Sequence, residues 1–297
     1  YGKPIYKSKI LDNLLDLKKD GSFRLNMKYF DYCTGFKMIN RNFCDLFKMS
    51  PRKNSEKINT KTLNIAASIQ AVLEEIVIKT VKPLGKEYSS KNLSLAGGVA
   101  LNCVSNGRLI KEGGFENIWV QPASGDAGGA LGCALFSYHH ILNYNKKVYK
   151  NNDNMSNSYL GPSYKNPKVK NVLDNIGAKY SLLNRKELID FITNEIIKQK
   201  IIGWFQGRME FGPRALGNRS IIADPRSSKM QKKINLKIKF RESFRPFAPI
   251  ILKEKLSEWF DLKNESKYMS FVAKINKKYL KKLNKTETSI KGLKRLS

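Results

Sequence analysis

Histidine is almost missing from this chain. His139 and His140 are the only two in 297 residues. Adjacent residues on a helix point apart, so the pair does not make a metal site and reads as helix surface. Cysteine is scarce too. Cys33, Cys44, Cys103 and Cys133 form no Cys-x-x-Cys pair, which argues against structural zinc and against a disulfide framework. They read as reduced core thiols of a cytoplasmic protein. No apolar run approaches the roughly 18 residues of a membrane span, and no charged-then-apolar leader opens the chain. The expectation is therefore a cytoplasmic protein with no membrane partner. The first residue is Tyr1 and not Met, which reads as a fragment.

Acidic residues are also in deficit, 25 against 55 Lys and Arg, a net charge of +30. Nucleic acid binding is one reading of such a balance. The lysines, however, are spread along the whole chain with only modest clusters at 229–239 and 274–294. They are not gathered into a stripe with interleaved aromatics. Lysine, asparagine and isoleucine are abundant throughout, as biased codon usage would produce, and this is the preferred account. Hydrophobic residues at 41% and aromatics at 10% place the chain among folded proteins with a real core. Its length favours two domains or one large one.

The hydrophobic pattern predicts a helix over 60–81, broken at Pro83, then a short apolar run 93–96 ending in Gly97-Gly98 and a helix over 99–110. A second short strand at 117–121 ends at Pro122, and 125–142 reads as a helix entered through glycines. Strand, glycine turn, helix occurs twice, the mark of an α/β layer. Residues 143–157, polar and rich in Asn and Lys, read as a linker. Beyond it the pattern predicts a helix at 185–198, strands at 201–205 and 221–223, a helix at 227–238, and a loop over 240–252 leading into a strand. The domain expectation is a division at 150, into 1–150 and 151–297.

Two features carry chemistry. Glycine turns at the carboxyl ends of strands let backbone amides approach phosphate. Gly97, Gly98 and Asn102 form one such turn, and Gly125, Asp126, Gly128 and Gly129 the other. Tight packing is the competing reading for both. Asp126 is placed to cap its helix, to ligate a metal, or to do both. The second feature is Arg208, Arg214 and Arg219, within twelve residues and set among Gly207, Gly212, Pro213 and Gly217, with Arg241 and Arg245 following. Arginine offers a rigid fork that grips phosphate or carboxylate at two points. Arginines are few elsewhere, so codon bias does not explain the cluster. An anion site is the preferred reading over an ion-paired surface loop with Glu210, Asp224 and Glu242.

Four stretches together resemble one family. They are Leu95-Ala96-Gly97-Gly98-Val99-Ala100-Leu101-Asn102-Cys103, the run from Gln121 to Gly132, the run from Glu210 to Ile221, and the run from Lys239 to Pro249. They look like the signatures of the O-carbamoyltransferases of nodulation-factor and antibiotic biosynthesis, the NodU/CmcH type. The resemblance implies an α/β fold in which 1–150 is the second lobe of an actin-like ATPase (ASKHA) domain that transfers the carbamoyl group. Residues 151–297 would then be part of a YrdC-like domain that forms carbamoyl-adenylate. It implies ATP as cofactor, carbamoyl phosphate and a hydroxyl-bearing small molecule or glycan as partners, and an iron-type divalent metal holding the nucleotide. In that family's terms Asp126 matches a metal-ligating aspartate, and Gly97, Gly98 and Asn102 match a nucleotide-cradling turn. Arg208, Arg214, Arg219, Arg241 and Arg245 fall in the signature stretches of the adenylate-forming domain.

The chain departs from the family at one point. The family's two metal-binding histidines, spaced His-x-x-x-His, have no counterpart here, and the expectation is that the first lobe and the far end are missing. The 297 residues on their own are then expected to lack transferase activity. A tRNA-modifying carbamoyltransferase and a non-enzymatic basic nucleic-acid-binding module are the alternatives.

Overall fold

A computed structural model describes residues 1–53, 56–146, 153–262 and 265–280. The chain groups into two compact units that interleave in sequence. The first comprises Tyr1–Leu93 and Val104–Ile118; the second comprises Ser94–Cys103 and the described residues of Trp119–Lys281. The expected boundary at 150 lies outside the described residues, as do 147–152 of the expected linker and the lysine-rich residues from 281 onward.

In the first unit, helix α1 (Lys7–Asn13) leads into strands β1 (Leu15–Leu17) and β2 (Phe23–Leu25). These pair antiparallel with Leu15 opposite Leu25. Helix α2 (Arg41–Phe47) begins at Asn40, whose side chain accepts the Phe43 N–H. Helix α3 (Thr60–Glu87) begins at Asn59 in the same manner, accepting the Thr62 N–H. Such caps satisfy donors that a helix start otherwise leaves unbonded. The predicted break at Pro83 does not occur, and α3 runs on for another turn. An interior proline costs a helix about 3 kcal/mol, and tertiary packing offsets that here. Val81 is buried, and a β-carbon on Gly85 would lie 3.4 Å from the Phe115 ring. Ile10, Leu14, Leu15, Phe43, Phe47, Ile65 and Val72 form the core. The rings of Phe43 and Phe47 lie 4.7 Å apart. Fully burying a side chain of this kind stabilises by about 1.5–3 kcal/mol.

The chain crosses between units within β3 (Asn92–Leu95). Helix α4 (Cys103–Glu112) follows, and the chain crosses again within β4 (Asn117–Val120), which pairs with β3. The Lys91 carbonyl accepts from Asn117 and the Leu95 carbonyl from Gln121, so the two strands advance together. In the second unit helix α5 (Asp126–Phe136) ends in a π-helical turn, Ser137–Ile141, that holds both histidines. Helices α6 (Asn166–Asn175) and α7 (Arg185–Ile197) come next, α7 opened by reciprocal bonds between Asn184 and Glu187. Strands β5 (Ile202–Phe205) and β6 (Arg219–Ile222) pair antiparallel, Phe205 opposite Arg219. Helix α8 (Met230–Lys237) then buries Met230, Ile234 and Asn235.

The expected α/β class holds as small two-stranded sheets with helices. Two further expectations need correction. No strand follows residues 240–252; the chain enters a 3-10 turn, Lys253–Lys255. Pro246 and Pro249 lack the N–H donors a ladder needs. Residues 153–157 are also not a free linker. Met155 is buried, and the Asn157 N–H donates to the hydroxyl of buried Tyr268 at 3.1 Å. That hydroxyl in turn donates to Asp153 at 2.6 Å.

Candidate functional site

The first glycine turn follows β3. Gly97 sits at φ 92°, ψ 161° and starts the 3-10 turn Gly98–Leu101. A β-carbon on either Gly97 or Gly98 would meet nothing within 4 Å among the described residues. Packing therefore does not require glycine here; Gly97 is required by its dihedral angle, and Gly98 faces open space. Asn102 closes the turn, its N–H donating to the Val99 carbonyl.

The second turn follows β4, through buried Ala123 and Ser124. Gly125 takes the N-cap position, and Asp126 is the first helical residue, exposed, with no side-chain capping bond at this end. The capping role open to Asp126 in the sequence is thus not the one it has. Gly125 and Gly129 face open space, whereas a β-carbon on Gly128 would collide with the Ala123 carbonyl. In this turn Gly128 is a packing glycine and the other two are not.

The arginine loop joins β5 to β6. Its ends are tied by the Gln206 N–H donating to the Asn218 carbonyl at 3.0 Å. Glu210, 7% exposed, lies under the loop. One of its oxygens accepts the amides of Leu216 at 2.7 Å, Asn218 at 2.9 Å and Arg219 at 3.3 Å. Burial pushes this carboxyl up, but the amide bonds outweigh burial and hold it below the ordinary glutamate range.

The five arginines have different fates. The Arg219 guanidinium lies 3.4 Å from the Phe205 ring centre and donates to the carbonyls of Gln206, Gly207 and Asn218. It stitches the loop together. Arg208 donates through Nε to the Gly161 carbonyl at 3.1 Å. Arg214 donates through Nη2 to the Leu101 carbonyl, in the first glycine turn, at 3.2 Å. Gly212, at φ 114°, lies so close to the second turn that a β-carbon on it would sit 3.2 Å from the Ala123 methyl. Three motifs far apart in sequence therefore meet in the second unit. Arg241 and Arg245 are instead anchored beside α8. Arg241 bonds Asn235 at 2.7 Å and lies 5.0 Å from the Phe247 ring centre, and the Arg245 carbonyl accepts from Asn235.

Of the three carboxylates named with the cluster, only Glu242 meets one of its arginines, Arg245. Glu210 takes amides, Asp224 binds Arg226 at 2.6 Å, and Glu242 binds Arg245 at 3.1 Å. Arg226 beside it drives the Asp224 carboxyl down to about 2. Among the described residues Arg208, Arg214, Arg219 and Arg241 pair with no carboxylate. The ion-paired surface-loop reading fits Arg245 and not the arginines of 207–219.

Sequence reasoning missed the wall of the loop, residues 158–162. The Ser158 carbonyl accepts from Phe211, the Met209 carbonyl from Gly161, and the Pro162 carbonyl from Met209. The Tyr159 hydroxyl donates to the Leu216 carbonyl at 2.8 Å. Only the Gly161-Pro162 step marks this stretch in the sequence. Just before it, Ser156, Asn157 and Ser158 all have positive φ, 48°, 57° and 65°.

Asp126 is the one expected metal ligand in this chain, and it is exposed. Among the described residues no three His, Cys, Asp or Glu side chains come together. A single carboxylate such as Asp126 does not hold a divalent cation. No helix is long and apolar enough to cross a membrane among the described residues. A hollow of about 450 Å³ in the first unit, lined by Asp12, Asn13, Arg24 and Met27 among others, contains none of the motif residues.

The loop 207–219, three of whose arginines pair with no carboxylate among the described residues, is thus set against both glycine turns. Comparison with known proteins identifies the family. The carbamoyltransferase N-terminus model matches residues 1–135, and the carbamoyltransferase C-terminus model matches residues 193–290. An uncharacterized protein of Synechocystis is 48% identical over 299 residues, covering 100% of this chain and 48% of that protein. Nodulation protein NolO of Bradyrhizobium diazoefficiens is 39% identical over 216 residues, 71% of this chain and 38% of its own length. Nodulation protein NolNO of Sinorhizobium fredii is 34% identical over 279 residues, 93% of this chain and 39% of its own. The chain belongs to the carbamoyltransferase family. It spans about half or less of the length of these relatives.

Proposed function

We propose that the chain serves an O-carbamoyltransferase that activates carbamoyl phosphate with ATP and passes the carbamoyl group to a hydroxyl of a sugar-type or secondary-metabolite acceptor. Water first releases phosphate from carbamoyl phosphate, the resulting carbamate displaces pyrophosphate from ATP to form carbamoyl-adenylate, and transfer to the hydroxyl releases AMP. In this reading 1–150 supplies the second lobe of an actin-like domain and 151–297 part of a YrdC-like domain, in the cytoplasm. The observation that carries it is the loop 207–219, whose Arg208 and Arg214 pair with no carboxylate among the described residues while Arg214 reaches the glycine turn at Leu101.

Each residue has a physical task. Arg208 and Arg214 supply fixed positive charge for the phosphate oxygens, where negative charge grows as pyrophosphate leaves. Gly97 and Gly98 leave the backbone open to close approach of the nucleotide. Arg219 and Glu210 hold the loop, and Arg241 and Arg245 form a second cationic group beside α8. Asp126 would contribute one oxygen to a metal, and the other ligands would have to come from outside the described residues.

The test is exchange of labelled pyrophosphate into ATP by the protein isolated from its host. Exchange that depends on carbamoyl phosphate and drops at least about tenfold in Arg208→Ala and in Arg214→Ala is expected, the usual size of losing a charged contact in the transition state. Exchange with no need for carbamoyl phosphate would sink the reading.

A further inference from the structure

Glu210 is the one acidic side chain of the arginine loop, yet none of the loop's guanidiniums binds it. It binds the backbone. With the amides of Leu216, Asn218 and Arg219 turned inward to its carboxylate, the Gly217 N–H goes to the Ser220 hydroxyl at 3.0 Å. Four consecutive amides, 216–219, are thereby occupied. The carbonyls of the same stretch are taken as well. That of Leu216 accepts from Tyr159, that of Gly217 from the Gln206 side chain, and that of Asn218 from the Gln206 N–H and from Arg219.

Glycine-rich phosphate loops ordinarily work the other way, pointing a row of amides at the anion. Here the same kind of sequence, rich in glycine and set between two strands, has the amides of 216–219 and the carbonyls of 216–218 engaged within the protein. With those four amides taken, the grip along 216–219 falls to the guanidiniums.

We propose that Glu210 is a positioning residue of the anion site. By taking up the amides of Leu216, Asn218 and Arg219, it makes the loop hold a phosphate-type substrate through the side chains of Arg208 and Arg214, and not through backbone N–H groups. This deepens the phosphate-handling reading above and rests on it.

Inorganic pyrophosphate is the probe, with its Kd measured by calorimetry and backbone amide exchange measured residue by residue. In the unsubstituted chain, the amides of Leu216, Asn218 and Arg219 should exchange as slowly without pyrophosphate as with it. Glu210→Ala should weaken pyrophosphate at least about tenfold and release those amides, at a temperature where circular dichroism shows it folded. Glu210→Gln, whose side-chain oxygen can accept the same amides, should recover the affinity to within about threefold.

Three outcomes overturn the proposal while leaving the phosphate reading intact. The three amides gain protection on adding pyrophosphate, the alanine variant binds as tightly as the parent, or the glutamine variant binds no better than the alanine. A parent chain that does not bind pyrophosphate sinks the phosphate reading and this proposal with it, as does an Arg208→Ala/Arg214→Ala variant that binds unchanged. Exchange in the unsubstituted chain decides the matter even where Glu210→Ala does not fold.

Discussion

Gly97 and Gly98 are neighbours in one turn, and a methyl group would have different consequences on each. At Gly97 there is room for a β-carbon but φ is 92°, so alanine is strained by its own backbone at a cost of about 1–2 kcal/mol. At Gly98 neither space nor dihedral objects. Gly97→Ala should therefore lower the urea midpoint, and Gly98→Ala should leave it within error while weakening ATP binding, because the methyl stands where a phosphate would approach. Equal effects of the two substitutions on the midpoint would refute this account of the turn. The sequence alone leaves packing and ligand approach as rival reasons for these glycines. Double glycine looks the same in both cases, and only the surroundings of each Cα separate Gly128, hemmed in by Ala123, from Gly98.

At the scale of elements, the strongly periodic segments were legible. The pattern placed the start of α3, and α7, β4 and β5, to within a few residues, because hydrophobic period and the asparagine caps of the two helices are local signals. The misses share a physical cause, since what decides them lies elsewhere in the chain. Pro83 looks like a stop until Phe115 is seen against Gly85. The wall of the arginine loop is held by main-chain bonds to residues about 50 positions later, and such bonds leave no side-chain pattern to read. Tyr159 is the exception, since its side chain takes part. Burial, with Glu210 adding to it, pushes its phenol up, so it stays a protonated donor to Leu216. Tyr159→Phe should cost about 1 kcal/mol in urea denaturation, the typical size of one such bond. A loss below about 0.3 kcal/mol would show that the wall does not need the hydroxyl.

Across the whole molecule, both the charge and the apolar surface are unbalanced. Helix α5 buries none of its residues; Leu135 and Phe136 are 48% and 59% exposed, with Ile141 and Leu142 beyond them at 64% and 62%. Patches of this kind ordinarily mark contact surfaces. With a net charge of +30, the few carboxylates matter more than their number suggests. Glu210 and Asp224 both have lowered pKa values in the folded chain, Asp224 to about 2. A lowered folded value stabilises above the ordinary carboxylate range, and that gain disappears as the pH falls through the folded value. The second unit should keep its stability from pH 7 down to about 5 and lose it progressively below about 4. In thermal melts at stepped pH, the Asp224→Asn variant should lose less than the parent over the acid range. Parallel acid slopes for the two would count against it.

The turn at Ser156, Asn157 and Ser158 makes the chain, for three residues, trace a path of the opposite hand to the helices on either side. L-residues tolerate this poorly, and asparagine is the least averse of those present. A mirror-image amino acid would find the same dihedrals relaxed. A chain assembled by chemical ligation with D-serine at 156 or 158 would hold the approach to the arginine loop more firmly than the natural one does. At these positions the fold asks for a chirality that the ribosome does not supply.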